Sequence, residues 1–171
     1  MVSPTTTEHK EKASHRGPIN VAVVTVSDTR TRETDKSGNY LCQQIKATGH
    51  LLHSAIILAD EAAEIETALD TLAASEAQVV LFNGGTGISS RDTTFDVLSR
   101  KLEKTLPGFG EIFRMLSYEE IGASAIMSRA TAGLHNGTVF ISMPGSPAAV
   151  RLAWERLLSS ELEHLAWEAT R

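Results

Sequence analysis

Ile19-Asn20-Val21-Ala22-Val23-Val24-Thr25-Val26 is an almost unbroken run of β-branched and apolar residues. A strand that buries one face alternates polar with apolar. A continuous run belongs to a strand covered on both faces, as in a parallel sheet between helices. The run stops at Ser27-Asp28, and a charged loop follows to Lys36. Working outward, Leu51–Leu58 predicts a second strand ending at Ala59-Asp60, and residues 78–82 predict a short third. That third strand runs directly into Asn83-Gly84-Gly85-Thr86-Gly87. Thr138–Met143 predicts a fourth strand after a turn at Asn136-Gly137.

Helical patterns fill the gaps. Residues 37–48 place Leu41 and Ile45 on one face, with Gly49 as a left-handed stop. Residues 61–74 space Ile65, Leu69 and Leu72 at i, i+4 and i+7, opposite acidic positions. Residues 93–106 pair Leu98 with Leu102 before Pro107-Gly108 breaks the pattern. Two short helices are expected over 111–118 and 124–132, separated at Gly122. Another helix opens at Pro144-Gly145-Ser146-Pro147, with Ser146 as its cap and Pro147 in its first turn, and runs to Leu158. A last helix covers 160–169. The order βαβαβ, then helices, then βα implies an α/β class: a three-layer α/β/α fold with a mostly parallel central sheet.

The chain has 171 residues, about one domain's worth. Residues 1–18 are rich in Thr, Ser, Lys, Glu and His and read as a disordered tail, leaving 19–171 as the domain. Net charge is −5, from 16 basic and 21 acidic residues. A nucleic-acid binder or membrane-surface protein usually carries a basic excess, so neither partner is expected. Cys42 is the single cysteine, which excludes an internal disulfide and points to a reducing compartment. The six histidines show no metal-ligand spacing. No apolar run is long enough to span a bilayer, and the N-terminus lacks a signal-peptide core. The expectation is a cytoplasmic protein.

Ligands of open α/β sheets bind outside the carboxyl ends of the strands. That rule gathers Ser27-Asp28 and its loop, Asp60, residues 84–92, and Pro144-Gly145-Ser146 on one rim. Gly84-Gly85-Thr86-Gly87 either makes a tight strand-to-helix turn or turns its N–H groups onto a phosphate. No Gly-Lys-Ser/Thr follows, and the spacing is not Gly-x-Gly-x-x-Gly. Asp92 either caps the helix beginning at Thr93 or holds a metal at its start; Asp60 has the same two readings before Glu61. Hard carboxylate oxygens suit Mg²⁺, which takes one or two of them together with substrate phosphates. Asp28 is a third candidate, or simply a partner for Arg30 or Arg32. Arg91 stands in the same rim with a guanidinium suited to phosphate, whereas Arg32 and Lys36 read as solvated. Ser27 and Ser37 read on their own as turn or cap residues. Cys42 reads as an inert thiol, and Trp154 and Trp167 as packing residues. Phe109, Ile112, Phe113, Met115 and Leu116 cannot all point inward from one helix face, so some belong to core and others to an oligomer contact.

Several motifs occur in a fixed order: Val24-Thr25-Val26-Ser27-Asp28, Asp35-Lys36-Ser37-Gly38, Gly84-Gly85-Thr86-Gly87 with Arg91-Asp92, Pro107-Gly108-Phe109-Gly110-Glu111, Ser128-Arg129-Ala130, and Pro144-Gly145-Ser146-Pro147. Over residues 19–168 the chain thereby resembles the MoaB/MogA family of molybdenum cofactor biosynthesis proteins. The segment Phe113-Arg114-Met115-Leu116-Ser117-Tyr118-Glu119-Glu120-Ile121-Gly122 looks more like the MoaB branch. The resemblance implies a molybdopterin-binding domain over 19–171. It implies Mg²⁺-dependent adenylylation of molybdopterin by ATP with release of pyrophosphate. The alternative it allows is a non-catalytic molybdopterin-binding or carrier protein. By motif, Asp60 and Asp92 match the aspartates tied to metal and catalysis, and Gly84, Gly85, Thr86 and Gly87 match the loop that holds phosphates. Ser27, Asp28, Ser37, Arg91, Gly145 and Ser146 match other pocket positions. A trimer or hexamer, and contact with other enzymes of the pathway, are further implications.

One departure and one retention matter. Many active members carry Thr-Pro-Glu or Thr-Pro-Asp after Arg-Asp, where this chain reads Thr94-Phe95-Asp96 and lacks a proline to preset the helix start. Some MoaB-type members lack the aspartate equivalent to Asp60 and are inactive; this chain keeps it.

Overall fold

Parallel strands need crossovers, and helices supply them here. The computed structural model describes residues 17–171. Its elements are β1 (Asn20–Val26), α1 (Lys36–Ala47), β2 (Leu51–Leu58), α2 (Ala62–Ala73), β3 (Val79–Asn83), α3 (Thr94–Lys101), β4 (Lys104–Thr105) and α4 (Pro107–Ile121). A 3₁₀ segment (Gly122–Met127), β5 (Thr131–His135), β6 (Thr138–Met143), α5 (Pro147–Ala153), a π turn (Trp154–Leu158) and α6 (Leu162–Ala169) complete it. The tail expected over 1–18 lies outside the described residues except for Gly17 and Pro18.

The sheet order is β2-β1-β3-β6-β5-β4. The first four strands are mutually parallel, and β5 and β4 join as antiparallel neighbours. The opening run behaves as its composition demands. Val21 and Val23 pack with Leu41 and Ile45 of α1, Phe113 of α4, Val150 of α5 and Leu162 of α6. Ala22, Val24 and Val26 pack on the other face with Ile65 and Leu69 of α2 and Val97 and Leu98 of α3. Each such side chain removed from water contributes roughly 1.5–3 kcal/mol before entropy is counted. The result is the expected three-layer α/β/α arrangement.

The expectations fail between residues 102 and 135. The helix expected over 93–106 ends at Lys101, and Lys104–Thr105 forms β4. Pro107 opens α4, because a proline in the first turn gives up an N–H that has no helical partner anyway. The helix expected over 124–132 is absent: a 3₁₀ segment gives way to β5. Asn136 and Gly137 both take positive φ, +48° and +77°, and close β5 onto β6 as a two-residue hairpin. Thr138–Met143 is therefore the sixth strand, although it is the fourth of the parallel set. On α4, Phe113 and Leu116 are buried while Ile112, Met115, Tyr118 and Ile121 are exposed. Recurring every third residue, the exposed four drift by about 60° per step and form a stripe that winds across the outer half of the helix. Cys42 is half-buried in α1, which raises its thiol pKa and suits the inert reading. Trp154 is 2% exposed in the core.

Candidate functional site

β1 crosses to β2 on one side, and the chain then returns to place β3 on the other side of β1. Such a reversal opens a crevice between the carboxyl ends of β1 and β3. The loop Gly84–Gly87 lies in that crevice. Gly84 and Gly85 have φ of +105° and +63°, where an L side chain is strained. Space forbids side chains as well. A Cβ on Gly84 would strike the Val26 carbonyl oxygen at the end of β1. One on Gly85 would strike the Thr94 hydroxyl and lie 2.9 Å from Asp60 Oδ2. One on Gly87 would lie 2.8 Å from Asp92 Oδ2. The glycines thus let the backbone press against β1 and both carboxylates at once.

The other rim segments close around this loop. The Gly84 N–H donates to the Met143 carbonyl at 3.0 Å, tying the loop to the end of β6. A Cβ on Gly145 would stand 3.1 Å from Gly84 Cα, so these two glycines are in close backbone contact. Ser37 Oγ, in the first turn of α1, donates to the Gly145 carbonyl at 2.8 Å. It is not a cap; the cap of α1 is Asp35, whose Oδ1 accepts from the Gly38 N–H at 2.8 Å. Ser146 does cap α5, accepting from the Ala149 N–H at 3.2 Å. The Ser27 N–H is engaged by the Leu58 carbonyl at 2.8 Å, and its Oγ accepts from the Thr29 and Arg30 N–H groups.

The aspartates divide their tasks. Asp60 Oδ1 accepts from the Thr93 N–H at 3.0 Å and the Thr93 hydroxyl at 2.9 Å, so it fixes the start of α3 from a distance. Asp92 does not cap α3; its Oδ2 accepts from the Ser89 N–H at 2.8 Å and the N-cap is Thr93. Asp60 Oδ2 and Asp92 Oδ1 carry no hydrogen bond among the described residues. Asp28 pairs with Arg91 at 2.9 Å rather than with Arg30 or Arg32, and its Oδ1 accepts from the Asp60 N–H at 3.1 Å. Arg91 also reaches Glu61 at 3.1 Å. These exposed pairs are worth little in stability, but they join the loops after β1, β2 and β3. Ser27-Asp28, Asp60, residues 84–92 and residues 144–146 are thereby brought into one neighbourhood, whereas Arg32 faces a groove beside β2.

Sequence reasoning assigned no role to Arg129. Its N–H donates to the Thr86 carbonyl at 3.0 Å, its Nε to the Gly87 carbonyl at 2.7 Å, and its Nη2 to the Asp92 carbonyl at 2.6 Å. Its Nη1 pairs with Asp96 at 2.9 Å, and the guanidinium lies 4.9 Å from the Phe95 ring centre. One side chain therefore spans both ends of the 87–92 loop. Asp35 was also missed. It is 6% exposed, and its Oδ2 accepts from the Thr25 hydroxyl at 2.6 Å. Thr25 Oγ1 in turn accepts from Asn83 Nδ2 at 2.9 Å. A small polar recess of about 100 Å³ opens there between Thr25, Ser27, Ser37, Asn83 and Gly145.

A larger groove, about 640 Å³, lies elsewhere, between the edge strand β2 and α2. Its accessible surface is mostly apolar, from Ile56 and Leu58 to Ala68 and Leu72, although polar residues such as His53, Ser54 and Glu64 also line it. Convergent polar groups mark a site better than volume does, and these lie on the rim. Among the described residues no three or more His, Cys, Asp or Glu side chains gather as a metal cluster. No helix is long and apolar enough to cross a membrane among the described residues.

Fold and crevice define a class: three-layer α/β domains that take small ligands outside the carboxyl ends of parallel strands. A family model described as a probable molybdopterin binding domain matches residues 22–164. Molybdenum cofactor biosynthesis protein B of Bacillus cereus is 47% identical over 167 residues, covering 96% of this chain and 98% of that protein. A crystal structure of a molybdenum cofactor biosynthesis protein B superposes with a TM-score of 0.86 at 46% identity, over 89% of this chain and 96% of that one. The tungsten cofactor synthesizing protein MoaB from Pyrococcus furiosus gives a TM-score of 0.82 at 34% identity, over 90% and 98%. The chain belongs to the MoaB/MogA molybdopterin-binding family. The names of these relatives agree with the MoaB-like character of residues 113–122.

Proposed function

We propose that the protein binds molybdopterin for molybdenum cofactor biosynthesis, seating the ligand's phosphate on the Gly84–Gly87 loop. One observation carries this reading. The loop lies at the reversal of strand order, and its backbone is left bare by glycines that nothing larger can replace. The Gly84 N–H is taken by Met143, and the N–H groups of Gly85, Thr86 and Gly87, without a partner among the described residues, are left as a concave seat for an anion. Ser27, Ser37, Gly145 and Ser146 shape its surroundings, and Arg91 supplies a neighbouring positive charge. Titration of the purified protein with molybdopterin, without ATP, tests it: saturable binding is expected, and no binding would refute it.

A second reading adds chemistry, favoured by Asp60 and Asp92 on either side of the loop. Each has one oxygen without a hydrogen bond among the described residues, a donor set that fits Mg²⁺ completed by phosphates and water. Mg²⁺ held there supplies charge neutralisation for nucleotidyl transfer. The residues bind and orient: the glycine loop holds phosphate, and Arg129 keeps the loop that carries Asp92 in place. In this reading the terminal phosphate of molybdopterin attacks the α-phosphate of ATP, and pyrophosphate leaves. With ATP and Mg²⁺ present, formation of adenylylated molybdopterin decides between enzyme and carrier. If the enzyme reading holds, Asp92→Asn and Asp60→Asn each lower the rate at least about 100-fold, with unchanged circular dichroism.

A homo-oligomer, trimer or hexamer, belongs to the same proposal, as do a cytoplasmic location and hand-over to other enzymes of the pathway. The exposed stripe of Ile112, Met115, Tyr118 and Ile121 on α4 is the surface we assign to subunit contact. Met115→Glu is expected to shift sedimentation toward monomer; an unchanged sedimentation coefficient speaks against that surface.

A further inference from the structure

Between β1 and β3 the paired residues are apolar until the last pair, where Thr25 stands beside Asn83, one residue before Gly84. Both are buried. Chemistry fixes the direction of each hydrogen bond they make. Asn83 Nδ2 donates to the Val24 carbonyl at 3.3 Å and to Thr25 Oγ1 at 2.9 Å. A carbonyl only accepts, so this end of the amide is the donor. Thr25 Oγ1 gives its own hydrogen to Asp35 Oδ2, at 2.6 Å. Asp35 Oδ1 takes the Gly38 N–H at the start of α1. The other end of the amide, Asn83 Oδ1, is fully enclosed and has no partner among the described residues. A buried acceptor left unpaired is costly and gives the side chain no second anchor. The orientation of Asn83 therefore hangs on the Val24 carbonyl and the Thr25 hydroxyl, and that hydroxyl is aimed by Asp35.

The first turn of α1 reaches the loop by a second route. Ser37 Oγ donates to the Gly145 carbonyl, and Gly145 lies against Gly84. Gly84 is thus bordered by Asn83 in the chain and by Gly145 in space, and both lead back to α1. There is little slack, since a Cβ on Gly38 would strike Asp35 Oδ2 and lie 2.6 Å from Thr25 Oγ1. We infer that Asp35 is a positioning residue for the Gly84–Gly87 loop. Through the Thr25 hydroxyl it fixes the Asn83 amide, and with it the backbone from which the loop leaves β3. The inference rests on the reading that this loop holds the ligand's phosphate. Asp35 itself needs no contact with the ligand. Capping α1 does not require aspartate, because asparagine caps as well. What the carboxylate adds is a second oxygen that accepts, where asparagine would offer a donor.

Asp35→Asn separates the two tasks. It keeps the cap but turns an N–H toward a hydroxyl that already receives Asn83 Nδ2. Thr25→Val removes the hydroxyl at nearly constant volume, and Thr25→Ser keeps it. The Gly84 N–H, bonded to the Met143 carbonyl, reports on the loop: its hydrogen exchange is followed by NMR without ligand. Leu72→Ala, buried at the far end of α2, controls for lost stability alone. In Asp35→Asn and Thr25→Val, Gly84 exchange is expected to quicken, and molybdopterin affinity to fall, each about three- to tenfold. Thr25→Ser is expected to stay near the parent in both, and Leu72→Ala to change neither. Parent-like values in Asp35→Asn and Thr25→Val overturn the inference, as do equal changes in Leu72→Ala or the same losses in Thr25→Ser. A change in only one of the two readouts overturns it too. Where the parent binds molybdopterin and the variants match it, the proposed function stands and the positioning role falls. Where the parent binds none, the proposed function falls, and Gly84 exchange alone decides the positioning role.

Discussion

The sheet joins two unlike halves. β1, β3 and β6 of the parallel half are almost wholly buried, and their carboxyl ends carry the loops of the rim. The antiparallel half is lighter: β4 is two exposed residues, and β5 is only partly buried. Yet Arg129, on the approach to β5, is the residue that clamps the 87–92 loop. The binding loop is thus carried by one half and held in shape by the other. A mutation in the antiparallel half can therefore cost function while costing little stability, and one in the parallel half costs both.

The strongest way to break this comparison is through the core. Phe82, in β3, is 0% exposed and packs against Phe140 with ring centres 6.3 Å apart. Phe82→Ala is expected to destabilise the fold by about 3–5 kcal/mol, against about 1–2 kcal/mol for Leu134→Ala in the half-buried β5. Denaturant unfolding measures both, and equal losses would erase the distinction between the halves. Arg129→Lys sharpens the other side. Lysine keeps the charge but cannot make the forked set of bonds to Gly87, Asp92 and Asp96. Molybdopterin affinity should fall about tenfold or more, while stability falls by only about 1–2 kcal/mol. A variant that loses stability but binds ligand normally would show that the clamp does not shape the site.

The smallest effect concerns the seam between the halves. Asp70 of α2 meets Lys101 of α3 at 2.8 Å and His135 of β5 at 3.3 Å. The Lys101 hydrogen bond, aided by His135, holds the Asp70 pKa below its ordinary 3.8. A carboxylate with a lowered folded-state pKa contributes stability above its unfolded value and loses it as pH falls through the folded one. Lys101, raised above 10.5 by Asp70 and Glu66, contributes below that value and loses its share as pH rises through the folded one. Asp70→Asn should therefore flatten the acid limb of the stability curve below about pH 4. Thermal melts across that range check it; an unchanged acid limb would mean the pair is solvated.

The two halves also differed in how plainly the sequence showed them. β1, β3 and β6 announce themselves because burial on both faces demands continuous apolar runs, whereas β2, an edge strand with no fully buried residue, showed through its apolar ends, Leu51-Leu52 and residues 55–58. β5 does not: Thr131-Ala132-Gly133-Leu134-His135 has little apolar character, and the alanines before it read as helical. Its one local sign was Asn136-Gly137, a two-residue hairpin turn that implies a strand on each side. β4 is too short to have a period at all. On the rim, the glycine loop and the aspartates were legible because strand-end position and residue type suffice. Asp35 and Arg129 were not, because their importance lies in contacts with residues far away in the chain. Nor did the sequence show that Asp92 leaves the capping position to Thr93 while Asp60 reaches in from the end of β2.

The central claim is that the rim, not the larger groove beside β2, holds the ligand. A crystal structure of the protein with molybdopterin tests it most directly. The account predicts the terminal phosphate within about 3 Å of backbone N–H groups in the Gly84–Gly87 loop. A molybdopterin seated between β2 and α2, with the glycine loop untouched, would contradict it.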